Sequence, residues 1–140
     1  MNKKIKQMAE AVKQDLFAFT RQLIAIQSFS GKEEGVIQCM KTEMEKSGYE
    51  RVWVDDFGNL LGIIGTGERL IALDGHCDTV GIGNPESWQW DPFFGNHQDG
   101  IIYGRGMGSS CDSFFIIIVW RIHCRRHRER LQYSNSYRAY

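Results

Sequence analysis

The sequence lacks the features that would place it outside ordinary globular proteins. Its longest apolar run, residues 114–120, has seven residues, far fewer than the ~20 that a membrane-spanning helix requires. No apolar segment follows the basic residues near the start, so we expect no signal peptide. The four cysteines form no Cys-x-x-Cys pair, which argues against a zinc knuckle or a thioredoxin motif. We therefore expect a cytoplasmic protein without disulfides or membrane contact.

The charges are unevenly distributed, although the 140 residues carry no net charge. Residues 1–104 contain ten basic and fifteen acidic side chains, a net charge of −5. Residues 105–140 contain seven arginines and two acidic side chains, a net charge of +5. Such an asymmetry can indicate a basic tail that binds nucleic acid. It is also what two unrelated reading frames joined in one chain would produce.

Hydrophobic periodicity predicts two helices in the first third of the chain. Apolar side chains recur at three- and four-residue steps over residues 5–27, which is typical of an amphipathic helix. A second helix is expected to begin near Lys32, with Ser30 and Glu33 forming a capping box. Gly48 follows the last periodic residues and predicts the end of that helix.

The pattern then changes to that of short strands separated by turn residues. We predict strands at residues 51–55, 60–64, 70–74 and 100–103. Residues 70–74 are apolar on both faces, as in a strand covered by helices on both sides of a sheet. Helices followed by strands favour an α/β domain with a mixed sheet.

His76 and Asp78 follow the predicted strand 70–74 and are the first candidates for a functional site. Residues two apart in an extended chain point to the same side, so Asp78 can accept a hydrogen bond from one imidazole nitrogen. The other nitrogen is then oriented toward a metal ion. A simpler interpretation is that His76 ends a strand and Asp78 begins a turn. The spacing alone favours this simpler interpretation.

Further motifs follow in a set order: residues 75–80 (GHCDTV), 88–93 (WQWDPF) and 99–106 (DGIIYGRG). Together they resemble the signature region of the acetylornithine deacetylase, succinyl-diaminopimelate desuccinylase and carboxypeptidase family of zinc metallohydrolases. Residues 23–31 and 55–59 also fit, so the resemblance covers residues 5–108. Residues 80–84 look most like the selenium-metabolism hydrolase or uncharacterised deacetylase branch.

The resemblance implies the N-terminal part of a zinc-dependent exopeptidase-like catalytic domain. It also implies that His76 is a zinc ligand and that Asp78 is the catalytic carboxylate that orients it. The family holds two zinc ions and hydrolyses small N-acyl amino acids or peptides. Ser109 stands where the family has an aspartate that bridges both zincs. The paired glutamates, the last histidine ligand and the dimerising lid domain have no counterparts in these 140 residues. We therefore expect a truncated, inactive relative without the lid-domain dimer contacts.

Residues 109–140 depart from the family pattern, and three interpretations remain open. Cys111, His123, Cys124 and His127 could hold zinc, but their spacing matches no standard finger. The arginine-rich residues 121–130 could bind nucleic acid. We prefer a third interpretation, a frameshift after about residue 108, because the hydrophobic periodicity is lost at the same point at which the arginine content rises. The expected domains are therefore residues 1–108, a partial catalytic domain, and residues 109–140, an aberrant basic tail.

Overall fold

The computed structural model describes residues 3–66, 68, 71–73 and 75–106 of the chain. Both predicted helices are present, α1 (Lys3–Ala25) and α2 (Glu34–Ser47). The first two strands are β1 (Arg51–Val54) and β2 (Leu60–Ile63). A single 3-10 turn (Pro85–Ser87) precedes β3 (Asn96–Gln98) and β4 (Ile101–Tyr103). Within the described part of the chain, no helix is long and apolar enough to cross a membrane.

The hydrophobic core lies between the C-terminal half of α1 and one face of α2. Phe19 and Leu23 of α1 pack with Val36, Met40 and Met44 of α2. Each set is spaced four residues apart, so each forms one ridge along its helix. Full burial of such side chains stabilises the fold by roughly 1.5–3 kcal/mol each. This core fixes the end of α1 and the loop that leads into α2.

The two ends of α2 test the predicted helix signals. Gly48 adopts a left-handed φ of 73°, and its N–H donates to the carbonyl of Glu45 at 3.0 Å, so the predicted helix end is confirmed. The predicted capping box is wrong. Glu33 occupies the N-cap position without a side-chain cap, and its Oε1 accepts from the N–H of Gly31 at 2.8 Å. Ser30 is therefore available for a different contact.

The strands form two separate antiparallel pairs. β1 pairs with β2 from Arg51 opposite Ile63 to Val54 opposite Leu60. β3, which the sequence did not predict, pairs with β4. In the turn between β1 and β2, the Asp55 carboxylate accepts three hydrogen bonds from Phe57 and Asn59. The side-chain bond from Asn59 is the main cause of the lowered pKa of Asp55.

The predicted third strand is the main correction. Residues 71–73 lie outside any strand, and the side chains of Ile71 and Leu73 are 84% and 65% exposed. A strand exists only where a neighbour completes its hydrogen-bond ladder, and each strand within the described ranges pairs only with another of the four strands β1 to β4. The content of helices and strands is consistent with an α/β fold, but the described sheets are antiparallel pairs. The predicted boundary after residue 108 and the tail lie outside the described residues.

Candidate metal centre

The structure brings His76 and Asp78 into direct contact. Nδ1 of His76 lies 2.8 Å from Oδ1 of Asp78 and 3.1 Å from the carbonyl oxygen of the same residue. Because an ionised carboxylate only accepts hydrogen bonds, the imidazole N–H must be at Nδ1. The two side chains are 55% and 39% exposed. The pair therefore lies at the surface, where a ligand can reach it.

Cys77, between the two site residues, anchors them to the core. Its side chain packs against the buried cluster formed by α1 and α2. In an extended segment, a central residue that faces inward leaves both neighbours on the opposite side. This alternation explains why His76 and Asp78 share one side, as their two-residue spacing predicted. The strand predicted just before them is absent from residues 71–73, but the predicted pairing is present.

The loop after α1 holds the site segment through Ser28. The N–H of Thr79 donates to the Ser28 carbonyl at 2.7 Å, and the two hydroxyl oxygens lie 3.0 Å apart. Ser28 is only 2% exposed. Because Ser28 lies three residues after the end of α1, these hydrogen bonds fix residues 76–79 relative to that helix.

Ser30 contacts the candidate site directly. Its hydroxyl donates to Oδ2 of Asp78 at 2.6 Å, while Oδ1 accepts from His76. The hydrogen bond from Ser30 is the largest cause of the lowered pKa of Asp78, and that from His76 is the second. Asp78 is therefore ionised at neutral pH. Sequence reasoning assigned Ser30 to a helix cap and missed this contact. The available signal was two serines two residues apart, which can face one partner segment.

The Gly-Arg-Gly motif, residues 104–106, packs against both α1 and the site segment. A Cβ at Gly104 would lie 2.7 Å from Cγ2 of Ile24, and one at Gly106 would lie 2.8 Å from Cγ2 of Thr79. Only glycine allows both close approaches, and Gly106 also has a φ of 76°, which favours glycine. Arg105, between the two glycines, is 3% exposed. The motif thus joins α1 to the segment that carries His76 and Asp78.

Arg105 binds the C-terminal end of α1. Its Nη2 donates to the carbonyls of Ile26 at 2.8 Å and Ile24 at 3.4 Å. These carbonyls carry the partial negative charge of the helix end, which favours a cation. Burial of the guanidinium lowers the pKa of Arg105, but it remains a cation at neutral pH.

The aromatic motif at residues 88–93 packs against the same arginine. The centroid of the Phe93 ring lies 5.1 Å from the guanidinium carbon of Arg105. The backbone N–H of Arg105 donates to the Pro92 carbonyl at 2.8 Å. The indole of Trp88 donates to the Ile82 carbonyl at 2.7 Å, which folds the intervening loop. The motifs that follow one another in sequence therefore contact one another in space.

The described residues are compatible with one imidazole ligand of a metal site. Asp78 orients Nδ1, as carboxylates do for histidines that bind metals through Nε2. The part of the chain that the structure describes contains no group of three or more His, Cys, Asp or Glu residues that could hold a metal ion. The predicted bridging position, Ser109, lies outside that part. So do Cys111, His123, Cys124 and His127.

Comparison with known proteins gives partial matches. No family model matches the chain. It is 46% identical over 104 residues to the "Uncharacterized protein YgeY" of Escherichia coli (strain K12), a match covering 74% of this chain and 26% of that protein.

Two further relatives have names that indicate an activity. The succinyl-diaminopimelate desuccinylase of Orientia tsutsugamushi (strain Boryong) is 34% identical over 93 residues, which cover 62% of this chain and 24% of the relative. That of Ehrlichia canis (strain Jake) is 31% identical over 100 residues, which cover 66% of this chain and 26% of the relative. The chain thus spans about a quarter of the length of these curated relatives. Over that quarter it is related to proteins named as desuccinylases.

Proposed function

We propose that residues 1–108 are part of the catalytic domain of a zinc-dependent amidohydrolase that acts on small N-acyl amino acids or peptides. The observation that carries the proposal is the 2.8 Å contact between Nδ1 of His76 and Oδ1 of Asp78. The relatives named desuccinylases support an acyl group as the part of the substrate that is removed. The proposed activity is that of a whole protein, because this chain spans only about a quarter of the length of these relatives.

His76 and Asp78 have distinct roles in this proposal. Since Nδ1 of His76 donates to Asp78, Nε2 is the atom that would bind zinc. Asp78 keeps the imidazole in the required tautomer. Zinc bound there would polarise the amide carbonyl and lower the pKa of a bound water. The family resemblance implies a second zinc ion beside it, as in two-metal hydrolases.

A site-resolved zinc titration tests the role of His76. In the full chain labelled with 15N-histidine, the imidazole resonances of His76 should respond to zinc at lower concentrations than those of His97. His97 is the matched control because it is a second exposed histidine. Its ring centroid lies 4.4 Å from that of Phe17, with the two rings tilted by 60°.

One imidazole supplies only part of the roughly 10–16 kcal/mol of a complete structural zinc site, so we expect weak binding. His76→Ala should abolish the tighter response, and His97→Ala should retain it. Equal responses of the two histidines would contradict the proposed ligand.

We propose further that the chain does not hydrolyse amides as it stands. Ser109 occupies the position of the family's bridging aspartate, and a neutral hydroxyl cannot balance the charge of two dications. Assays with N-acyl amino acids and dipeptides in the presence of zinc or cobalt should therefore give no turnover. Metal-dependent turnover that disappears in His76→Ala would refute this prediction.

We infer that residues 109–140 are translated from a shifted reading frame. Charge and periodicity change together after residue 108, whereas the preceding motifs keep one consistent order. The DNA sequence around codons 105–112 is the direct test. Another frame should encode an acidic residue two positions after Met107, then a Glu-Glu pair and a later histidine. If neither alternative frame encodes these residues, the frameshift is wrong.

A second candidate function is nucleic-acid binding by a non-catalytic protein. The observation that favours it is the net charge of +5 on residues 105–140, due to seven arginines. Binding of this kind depends on counterion release, so the logarithm of the association constant should fall linearly with the logarithm of the salt concentration. A titration of the full chain with double-stranded DNA at several salt concentrations would reveal it. Absence of binding at low salt would exclude this function.

A further inference from the structure

Two serines in the loop between α1 and α2 bind two consecutive residues of the candidate site. Ser28 holds Thr79 through the backbone and the hydroxyl, at 2.7 Å and 3.0 Å. Ser30 donates to Oδ2 of Asp78 at 2.6 Å. The residues in each contact are separated by about fifty positions in the chain. The loop and the site segment thus meet side by side in opposite order, since the earlier serine contacts the later site residue.

The Ser30 contact determines how the Asp78 carboxylate is oriented. An exposed carboxylate held at one oxygen can still turn about its side-chain torsions, which are broad for aspartate. Asp78 is held at both oxygens, by His76 at 2.8 Å and by Ser30 at 2.6 Å. A hydroxyl bond of this length to an ionised carboxylate is among the stronger hydrogen bonds in proteins. Ser30 therefore contributes as directly as His76 to the orientation of the carboxylate.

Ser30 has no competing structural role in the helix that follows. The N-cap of α2 is Glu33, and it makes no side-chain cap. Ser30 is exposed, so shortening its side chain leaves no buried cavity. Its hydroxyl donates instead to a residue 48 positions later in the chain. Loss of the hydroxyl should therefore change the site without unfolding α2.

We propose that Ser30 is a positioning residue for His76. Its hydroxyl holds the Asp78 carboxylate in the orientation that accepts the Nδ1–H of His76, and Ser28 ties the same segment to the core. The imidazole is thereby kept in the Nδ1–H tautomer, with Nε2 as the basic nitrogen. The metal-binding consequence of this arrangement rests on the proposed function, whereas the tautomer does not.

The experiment compares four variants of the full chain. Ser30→Ala removes the hydroxyl, and the near-isosteric pair Ser30→Thr and Ser30→Val keeps or lacks it at constant volume. Ser87→Ala is the matched control, because Ser87 is also exposed and its hydroxyl donates to the Asn84 carbonyl at 2.7 Å. Circular dichroism establishes that each variant keeps its helices.

The first measurement is the 15N shifts of the His76 imidazole in the metal-free protein at about pH 8.5, where an ordinary histidine is neutral. Wild type, Ser87→Ala and Ser30→Thr should show the Nδ1–H tautomer. Ser30→Ala and Ser30→Val should shift toward the Nε2–H tautomer. An unchanged tautomer in both variants that lack the hydroxyl would overturn the proposal, as would the same shift in Ser87→Ala.

The second measurement is the zinc affinity at His76. Loss of a carboxylate that orients a ligand typically weakens metal binding about 10–100-fold. Ser30 acts one step further out, so we expect a weakening of about threefold to tenfold in Ser30→Ala and none in Ser30→Thr. A tautomer shift in a protein whose His76 binds no zinc would refute the proposed function and support the positioning role. Zinc binding with an unchanged tautomer would support the function and refute the positioning role.

Discussion

Replacing Gly106 with alanine would place a methyl carbon 2.8 Å from Cγ2 of Thr79. Thr79 cannot easily turn away, because its hydroxyl lies 3.0 Å from that of Ser28 and its N–H donates to the Ser28 carbonyl. The substitution therefore combines a left-handed backbone, with φ of 76°, and a steric conflict with the site segment. We expect it to destabilise the fold more than a positive φ alone would.

Gly100 separates the two effects. It has a φ of 79°, and a Cβ built on it meets nothing within 4 Å. Left-handed backbone costs a non-glycine residue roughly 1–2 kcal/mol, which the reduced entropy of the unfolded chain offsets by about 0.4–1 kcal/mol. Gly100→Ala should therefore cost about 1 kcal/mol. Gly106→Ala adds about 1–3 kcal/mol of overpacking, for a total of about 2–4 kcal/mol.

Urea unfolding followed by tryptophan fluorescence measures both variants. With an m-value of about 2 kcal/mol/M, the extra cost of Gly106→Ala corresponds to a midpoint about 0.5–1.5 M lower than that of Gly100→Ala. Thr79→Ser removes Cγ2 but keeps the hydroxyl, so Gly106→Ala in that background should cost about as much as Gly100→Ala. Equal costs for the two alanines in the wild-type background would refute the close packing of Gly106 on the site segment.

Three further perturbations test other parts of the fold. Met44→Ala should lower the free energy of unfolding by about 2–5 kcal/mol, because Met44 is 3% exposed, whereas Ile5→Ala at a 56% exposed position should cost under about 1 kcal/mol in the same urea assay. Arg105→Lys should cost about 1–3 kcal/mol by thermal unfolding, since lysine lacks the planar donors that bind the end of α1; an unchanged melting temperature would contradict that role. The hydrogen bonds to the Asp55 carboxylate, mainly from Asn59, lower its pKa in the folded state. Ionised Asp55 therefore stabilises the fold at pH values above the ordinary aspartate pKa of about 3.9, and this contribution is lost as the pH falls through the lower folded-state pKa. The stability difference between wild type and Asp55→Asn should therefore narrow below about pH 4, and a constant difference in acid-unfolding curves would refute it.

Local signals predicted the elements whose stabilising contacts are near in sequence. The two helices and the end of α2 at Gly48 depend on residues within one or two helical turns of each other. The pairing of β1 with β2 depends on residues on either side of a short loop. β3 was missed because residues 96–98 are polar and only pairing with β4 makes them a strand. The apolar residues 71–73 had the composition of a strand, but no strand in the described part of the chain pairs with them.

The candidate site divides along the same line. The two-residue spacing of His76 and Asp78 indicated that they could pair, because an extended backbone places such side chains on one side, although by itself it favoured a strand end followed by a turn. Ser30 and Arg105 could not be assigned in this way. Ser30 reaches Asp78 across 48 positions, and Arg105 reaches the Ile26 carbonyl across 79. Contacts between residues so far apart in sequence depend on the tertiary structure, since the packing of α1 against α2 helps to bring the distant segments within hydrogen-bond distance.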